Sequence, residues 1–434
     1  MKSKIVIGIG AAILVGVLAM AIRLGAQEED TSGAQYRVVN LGNLSGTSSV
    51  ANSINDIGWK AGSANVTADT THATVWLYGL RFDLGTLGGP NSQVNWPVKN
   101  TRGQIVGNAE TAAPDPYNEN FCRFGTGNIC LGFYWQGGVM YSLPTLGGNN
   151  GYAAGNNNRF KIVGWGETTK HDSTCLTGHT LQYEAVMWGP EPGQIQELPP
   201  LKGDPDGAAV GINDNDQVVG ISGPCGDDDG LGARHAVLWE NGQPTDMGGL
   251  GGIYFNTGVA INDKGVAVGF ADRKGDQNGN VNFHAFIWTK SGGMHDLGTL
   301  PGDYFSEATG INEAGQIVGE SCDQNFNCTA VMWQDGKIID LNALIPAYSP
   351  LYLIYANDIN NCGEIAGQAY DSSTNESPAY EVIPTHGSSA AQRAALAQAA
   401  GRVVPRVILP ANAREQLKRR LAFERLGLGA QHAR

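Results

Sequence analysis

Tyrosines and carboxylates at recurring positions are the side chains of this chain that could do chemistry. Tyr254, Tyr304 and Tyr352 each stand eight residues before an asparagine that recurs along the sequence. Phe305 follows one of them, and Asp303 and Glu307 flank the same spot. Aromatic faces beside carboxylates hold sugars and other polar rings by stacking and hydrogen bonding. Two such carboxylates at one mouth could also act as acid and base in polysaccharide hydrolysis or lysis. Turned inward, the same aromatics would plug a channel instead. A second group is acidic: Asp227 and Asp228 after Cys225, and Asp272 and Asp276 in a glycine-rich loop. Alternating oxygen ligands suit calcium, the one cofactor these loops could take, although Val281 and Ile287 stand where a calcium hand needs Gly and Glu. There is no G-x-S-x-G elbow, H-E-x-x-H pair or phosphate loop, so no catalytic residue is assigned.

These residues need a scaffold, and the sequence repeats. An Asn precedes a Gly by seven residues at Asn55/Gly62, Asn100/Gly107, Asn157/Gly164, Asn213/Gly220, Asn262/Gly269, Asn312/Gly319 and Asn360/Gly367. Six runs such as HATVW and HAFIW follow, ending at Trp76, Trp135, Trp188, Trp239, Trp288 and Trp333. Each leads through a short turn into a segment of the D-L-G type. The seventh copy of that segment stands at the front, at residues 36–42, with nothing before it. Short β-branched and aromatic runs bounded by Gly and Asn read as strands, four to a unit. About 50 residues per unit matches four-stranded propeller blades. The fold class is therefore all-β, a seven-bladed β-propeller closed by its N-terminal strand. The Asn are turn residues and the Trp and Leu pack between blades.

The remaining chain frames this domain at 36–386. Lys2 and Lys4 before the uncharged run at 5–22 make residues 1–26 a signal peptide or an uncleaved membrane anchor, and 27–35 an acidic linker. Either reading exports the rest, to a secreted, periplasmic or cell-envelope location. In an oxidising compartment the cysteines are read as disulfides: Cys122 with Cys130, Cys322 with Cys328, and Cys175 with Cys225, leaving Cys362 over. Residues 387–434 form a basic tail of charge +7 with two helical stretches, 388–400 and 412–427. It can touch an anionic membrane or an acidic partner, or dock on the propeller; the middle of the chain, residues 27–386, carries −23. A surface that acidic disfavours nucleic acid. With 61 glycines among 434 residues and 16% charged, the composition excludes a helical protein.

The strings at His284–Trp288, Asp296–Leu300 and Gly310–Gly319 resemble the HAF-type extracellular repeats of bacterial exported proteins. The resemblance covers residues 36–384 and implies export and a repeat fold; it implies no activity, substrate or catalytic residue. The expected function is a non-enzymatic exported binding or scaffold propeller. Its variable loops, all on one face, would hold a glycan, an envelope component or a protein. The alternative is a polysaccharide hydrolase or lyase.

Overall fold

The computed structural model describes residues 35–175, 179–225, 233–275, 282–385, 396–402, 404–411 and 413–415. Seven antiparallel four-stranded sheets follow one another along the chain. Residues 49–83, 88–142, 151–198, 206–246, 251–296 and 305–340 supply blades 1 to 6 from consecutive strands. Blade 7 combines Leu351–Ile359, Ile365–Asp371 and Ala379–Pro384 with the N-terminal strand Tyr36–Asn40 on its outer edge. Tyr36 pairs with Pro384 and Asn40 with Tyr380, so the ring closes by a backbone ladder inside one blade. Closure of this kind leaves no long strand edge at the join. The predicted signal or anchor at 1–26 lies outside the described residues. Among those described, no helix is long and apolar enough to cross a membrane.

Except in blade 2, the first strand of each unit lies nearest the axis, against the first strand of a neighbouring blade. In six blades this strand carries a bulge, as between Ala308 and Gly310 or between Ala51 and Ser53. There a carbonyl presses on the glycine of the next strand's I-V-G. A Cβ on Gly62, Gly164, Gly269 or Gly319 would lie 1.9 Å from the carbonyl oxygen of Val50, Tyr152, Thr257 or Glu307. Only glycine fits that approach, which is why it recurs.

The recurring asparagines do more than turn the chain. Asn262 Oδ1 accepts the backbone N–H of Lys264 at 3.1 Å and of Val266 at 3.0 Å, and the other six cap their turns at the same two positions. The amide's other end reaches the next blade. Nδ2 of Asn55, Asn100, Asn157, Asn213, Asn262, Asn312 and Asn360 each donates to the carbonyl of the next member, and Asn360 returns to Asn55, at 2.8–3.1 Å. Seven side chains thus form an unbroken circle around the axis. A second series lies beside it, in which the backbone N–H after six of these Asn is accepted by the side chain of the next blade: Thr101 by Asn158, Asn158 by Asp214, Asp214 by Asp263, Asp263 by Glu313, Glu313 by Asn361 and Asn361 by Asp56.

Between blades, Trp76, Trp188, Trp239, Trp288 and Trp333 are buried. Trp188 and Trp239 also donate Nε1–H to Pro144 O and Pro199 O of the preceding repeat. The histidine that opens three of the Trp-ended runs pairs with the aspartate of the following D-L-G or D-M-G segment: His72 with Asp83 at 2.7 Å, His235 with Asp246 at 3.4 Å, and His284 with Asp296 at 2.8 Å. These pairs tie the two outer strands of their blades together.

Candidate functional site: an arginine socket at the channel mouth

The three predicted disulfides are present, Cys122–Cys130, Cys175–Cys225 and Cys322–Cys328, and Cys362 is free and exposed. The third closes the hairpin between two strands of blade 6. Within that hairpin Asp323 organises the turn: Oδ1 accepts Asn325 N and Asn327 N, and Oδ2 accepts Asn327 Nδ2 at 2.9 Å. A small covalent loop thereby holds one carboxylate and one amide rigidly at the loop-rich face.

Asp303 stands beside it, at the end of the loop entering the inner strand of blade 6. Its side chain has no exposed surface. Ser321 Oγ donates to Asp303 Oδ2 at 2.6 Å. Burial pushes the Asp303 carboxyl above its usual range, partly offset by Ser321 and by a guanidinium. That guanidinium is Arg406, from the basic tail. It pairs with Asp303 Oδ1, lies 3.8 Å from Asp323 Oδ2, and hydrogen-bonds Tyr352. Burial works against the Arg406 charge, but Asp303, Tyr352 and Asp323 outweigh it and raise its pKa further. Burial likewise raises the Tyr352 hydroxyl, which also bonds Thr329 Oγ1 at 2.8 Å.

The tail therefore docks on the propeller at this point. Residues 396–399 form a helical turn whose Leu396 and Ala399 pack with Leu341, Leu344 and Leu353 near blades 6 and 7. The chain then crosses to the mouth, where Leu409 N donates to Asn327 Oδ1 at 3.1 Å. Leu409 and Ala413 join the axial apolar cluster that includes Phe305, Tyr352, Tyr152 and Phe270. Of the two predicted tail helices, the described residues show the turn at 396–399 and helical residues at 411 and 413–415.

The sequence candidates separate accordingly. Tyr352, Phe305 and Asp303 meet at the socket. Tyr254 and Tyr304 remain 40% and 38% exposed. Glu307 is fully buried, opposite Glu320 in the ladder of blade 6. Asp272 is fully buried as well; its Oδ2 accepts Tyr254 N at 3.0 Å and Phe255 N at 3.2 Å, which fixes the backbone of the inner strand. Asp227, Asp228 and Asp276 lie outside the described residues. Among those described, the close grouping of Asp172 with Cys175 and Cys225 has both sulfurs in the disulfide, which leaves no thiolate for a metal.

A second group of acids escaped the sequence reading. Asn150 Nδ2 donates to Asp115, Glu119 and Glu167, all three buried in the loop face of blades 2 and 3. Burial, then Glu119, pushes the Glu167 carboxyl up to about 9. Burial, then Asp172, does the same to Asp206. Glu167 and Asp206 therefore each hold a proton at neutral pH. Burial, then Arg123, lowers His179 to about 4, so that ring is neutral. The opposite face offers a narrow axial pocket of about 80 Å³, lined by Asp56, Lys99, Asp214, Asp263 and Glu313 among others. Lys99 is paired with the fully buried Asp358 there.

A family model described as a protein of unknown function (DUF3466) matches residues 206–395, which span blades 4 to 7. No curated protein matches the chain. Among solved structures, the crystal structure of TolB from Acinetobacter baumannii is similar at 12% identity, with a TM-score of 0.36, covering 76% of this chain and 80% of that one.

Proposed function

We propose that this is an exported, non-enzymatic binding propeller that holds its ligand on the loop-rich face. The observation that carries the reading is the socket of Asp303, Asp323 and Tyr352, which holds a side chain of a peptide segment through charge and hydrogen bonds. Export is supported by three disulfides, by the signal-like N-terminal sequence and by the resemblance to HAF-type extracellular repeats. The rival reading, polysaccharide cleavage by Asp303 and Glu307, finds one carboxylate paired with Arg406 and the other buried in a strand. Neither is placed as a solvent-facing acid or base.

The test is photo-crosslinking in the producing cell. A photoreactive residue at Tyr304, on the loop face, should yield high-mass adducts, while one at Tyr78, exposed in a turn of the opposite face, should not. Adducts of equal yield at both positions, or none at Tyr304, would refute loop-face binding. New oligosaccharides from a polysaccharide panel, absent from a heat-killed control, would establish the enzymatic reading instead.

A further inference from the structure

We infer that the socket is a peptide-recognition site for a polypeptide presenting an arginine three residues before a leucine, and that residues 404–413 of this chain are its built-in competitor. The inference rests on the loop-face reading above and names the ligand class. Two carboxylates and the Tyr352 hydroxyl converge on Arg406, an arrangement suited to a planar guanidinium rather than to a neutral sugar. Three residues on, Leu409 enters the apolar wall while its N–H is read by Asn327 Oδ1. Charge first and apolar anchor second define the pattern Arg-x-x-Leu.

The way the tail is held makes it exchangeable. Among the described residues it pairs with no strand of the propeller. Arg406, Leu409 and Ala413 make the contacts named above, Val407 packs on the same cluster and the Val404 N–H is accepted by Asp340, whereas Pro405, Ile408 and Ala411 face solvent, Ile408 at 79% exposure. Pro405 and Pro410 have no N–H to donate. The receiving side is different in kind: Asp323 and Asn327 are the two ends of the loop 323–327 closed by Cys322–Cys328, and Asp303 is anchored by Ser321. A preformed socket with a lightly held occupant lets a stronger ligand replace the tail without rebuilding the blade.

The experiment titrates a fluorescent peptide of residues 402–415 against three full-length proteins by anisotropy. These are the wild type, the variant Arg406→Ala/Leu409→Ala, and that variant with Asp303→Asn added. With its own tail unable to compete, the double variant should bind the peptide about tenfold or more tighter than the wild type. Asp303→Asn should abolish that gain, and a peptide carrying both alanines should not bind. Equal binding by wild type and double variant, or by the alanine peptide, overturns the proposal. So does a wild-type dimer that the double variant dissolves, because the segment would then belong to a second copy. Crosslinking from Tyr304 that persists when the peptide fails would leave loop-face binding standing and remove the socket alone.

Discussion

Asn262 offers the sharpest test of what holds the ring together. Replacing it with Ala removes the acceptor of Lys264 N and Val266 N and the donor to Asn312 O at 3.1 Å. At about 1 kcal/mol net for each bond, the loss is roughly 3 kcal/mol. Asn262→Asp is the more informative change. It keeps both accepted bonds, and so preserves the turn, but sets an oxygen against the Asn312 carbonyl in a site that is 4% exposed. Leaving that carbonyl without a partner and burying a new charge should cost about 2–3 kcal/mol. Spread over the unfolding entropy of roughly 350 residues, 3 kcal/mol lowers the melting temperature by about 4 °C. Differential scanning calorimetry reads this directly, with Asn241→Asp at an exposed turn as the control. The double variant Asn262→Asp/Asn312→Asp breaks two successive links of the circle, Asn262 to Asn312 O and Asn312 to Asn360 O, and buries a second charge, so it should be destabilised by at least the sum of its parts. If Asn262→Asp melts within a degree of wild type while Asn262→Ala does not, the amides serve their own turns alone and the inter-blade circle carries no energy.

Gly319→Ala should destabilise by more than about 3 kcal/mol, or prevent folding, because its Cβ would meet the Glu307 carbonyl at 1.9 Å; a melting temperature equal to wild type would show that the bulge relaxes. Glu167 and Asp206 hold protons in the folded state up to about pH 9 but lose them near 4.5 and 3.8 when unfolded. Their contribution is therefore complete below about pH 4 and is lost as pH climbs toward 9. Glu167→Gln should flatten the fall in stability between pH 5 and pH 8.5, read from the denaturant midpoint, by about 1.4 kcal/mol per pH unit; an unchanged slope would contradict this assignment. Under non-reducing denaturing conditions a maleimide should add once, at Cys362, and peptide mapping that finds label on any of the six paired cysteines would break the disulfide assignment.

The strands, the blade count and the closure by residues 36–40 were legible because a fifty-residue period repeats the same local chemistry seven times. What the sequence withheld were relations between repeats. The Nδ2 partner of Asn55 is Asn100 O, one whole blade away, and nothing local to Asn55 distinguishes a turn cap from a link. The Glu119–Glu167 pair spans two blades for the same reason. Arg406 lies beyond a break in composition, where a basic segment reads equally as tail or ligand; of the socket's two acids Asp303 was found, but neither Asp323 nor their partner. The His–Asp pairs did leave a trace: Asp83, Asp246 and Asp296 follow His72, His235 and His284 by eleven or twelve residues. Tyr254, Tyr304 and Tyr352 share a repeat position yet differ in burial, since the tail covers one side of the mouth only, and periodicity cannot express that asymmetry.

The composite seventh blade also sets a timetable for biogenesis. Its outer strand, Tyr36–Asn40, is synthesised before every other strand, and its partner, Ala379–Pro384, after all of them. A chain passing through a membrane N-terminus first would carry the opening strand into the new compartment while its partner was still on the far side. Until the last strand arrives, the molecule is an unfinished arc with two bare edges, the state most exposed to strand exchange with another copy. The segment that reaches Asp303 comes later still. Arg406 can therefore be seated only after the last strand of the wheel has been made, and a protease-resistant tail would report that blades 6 and 7 beneath it are built.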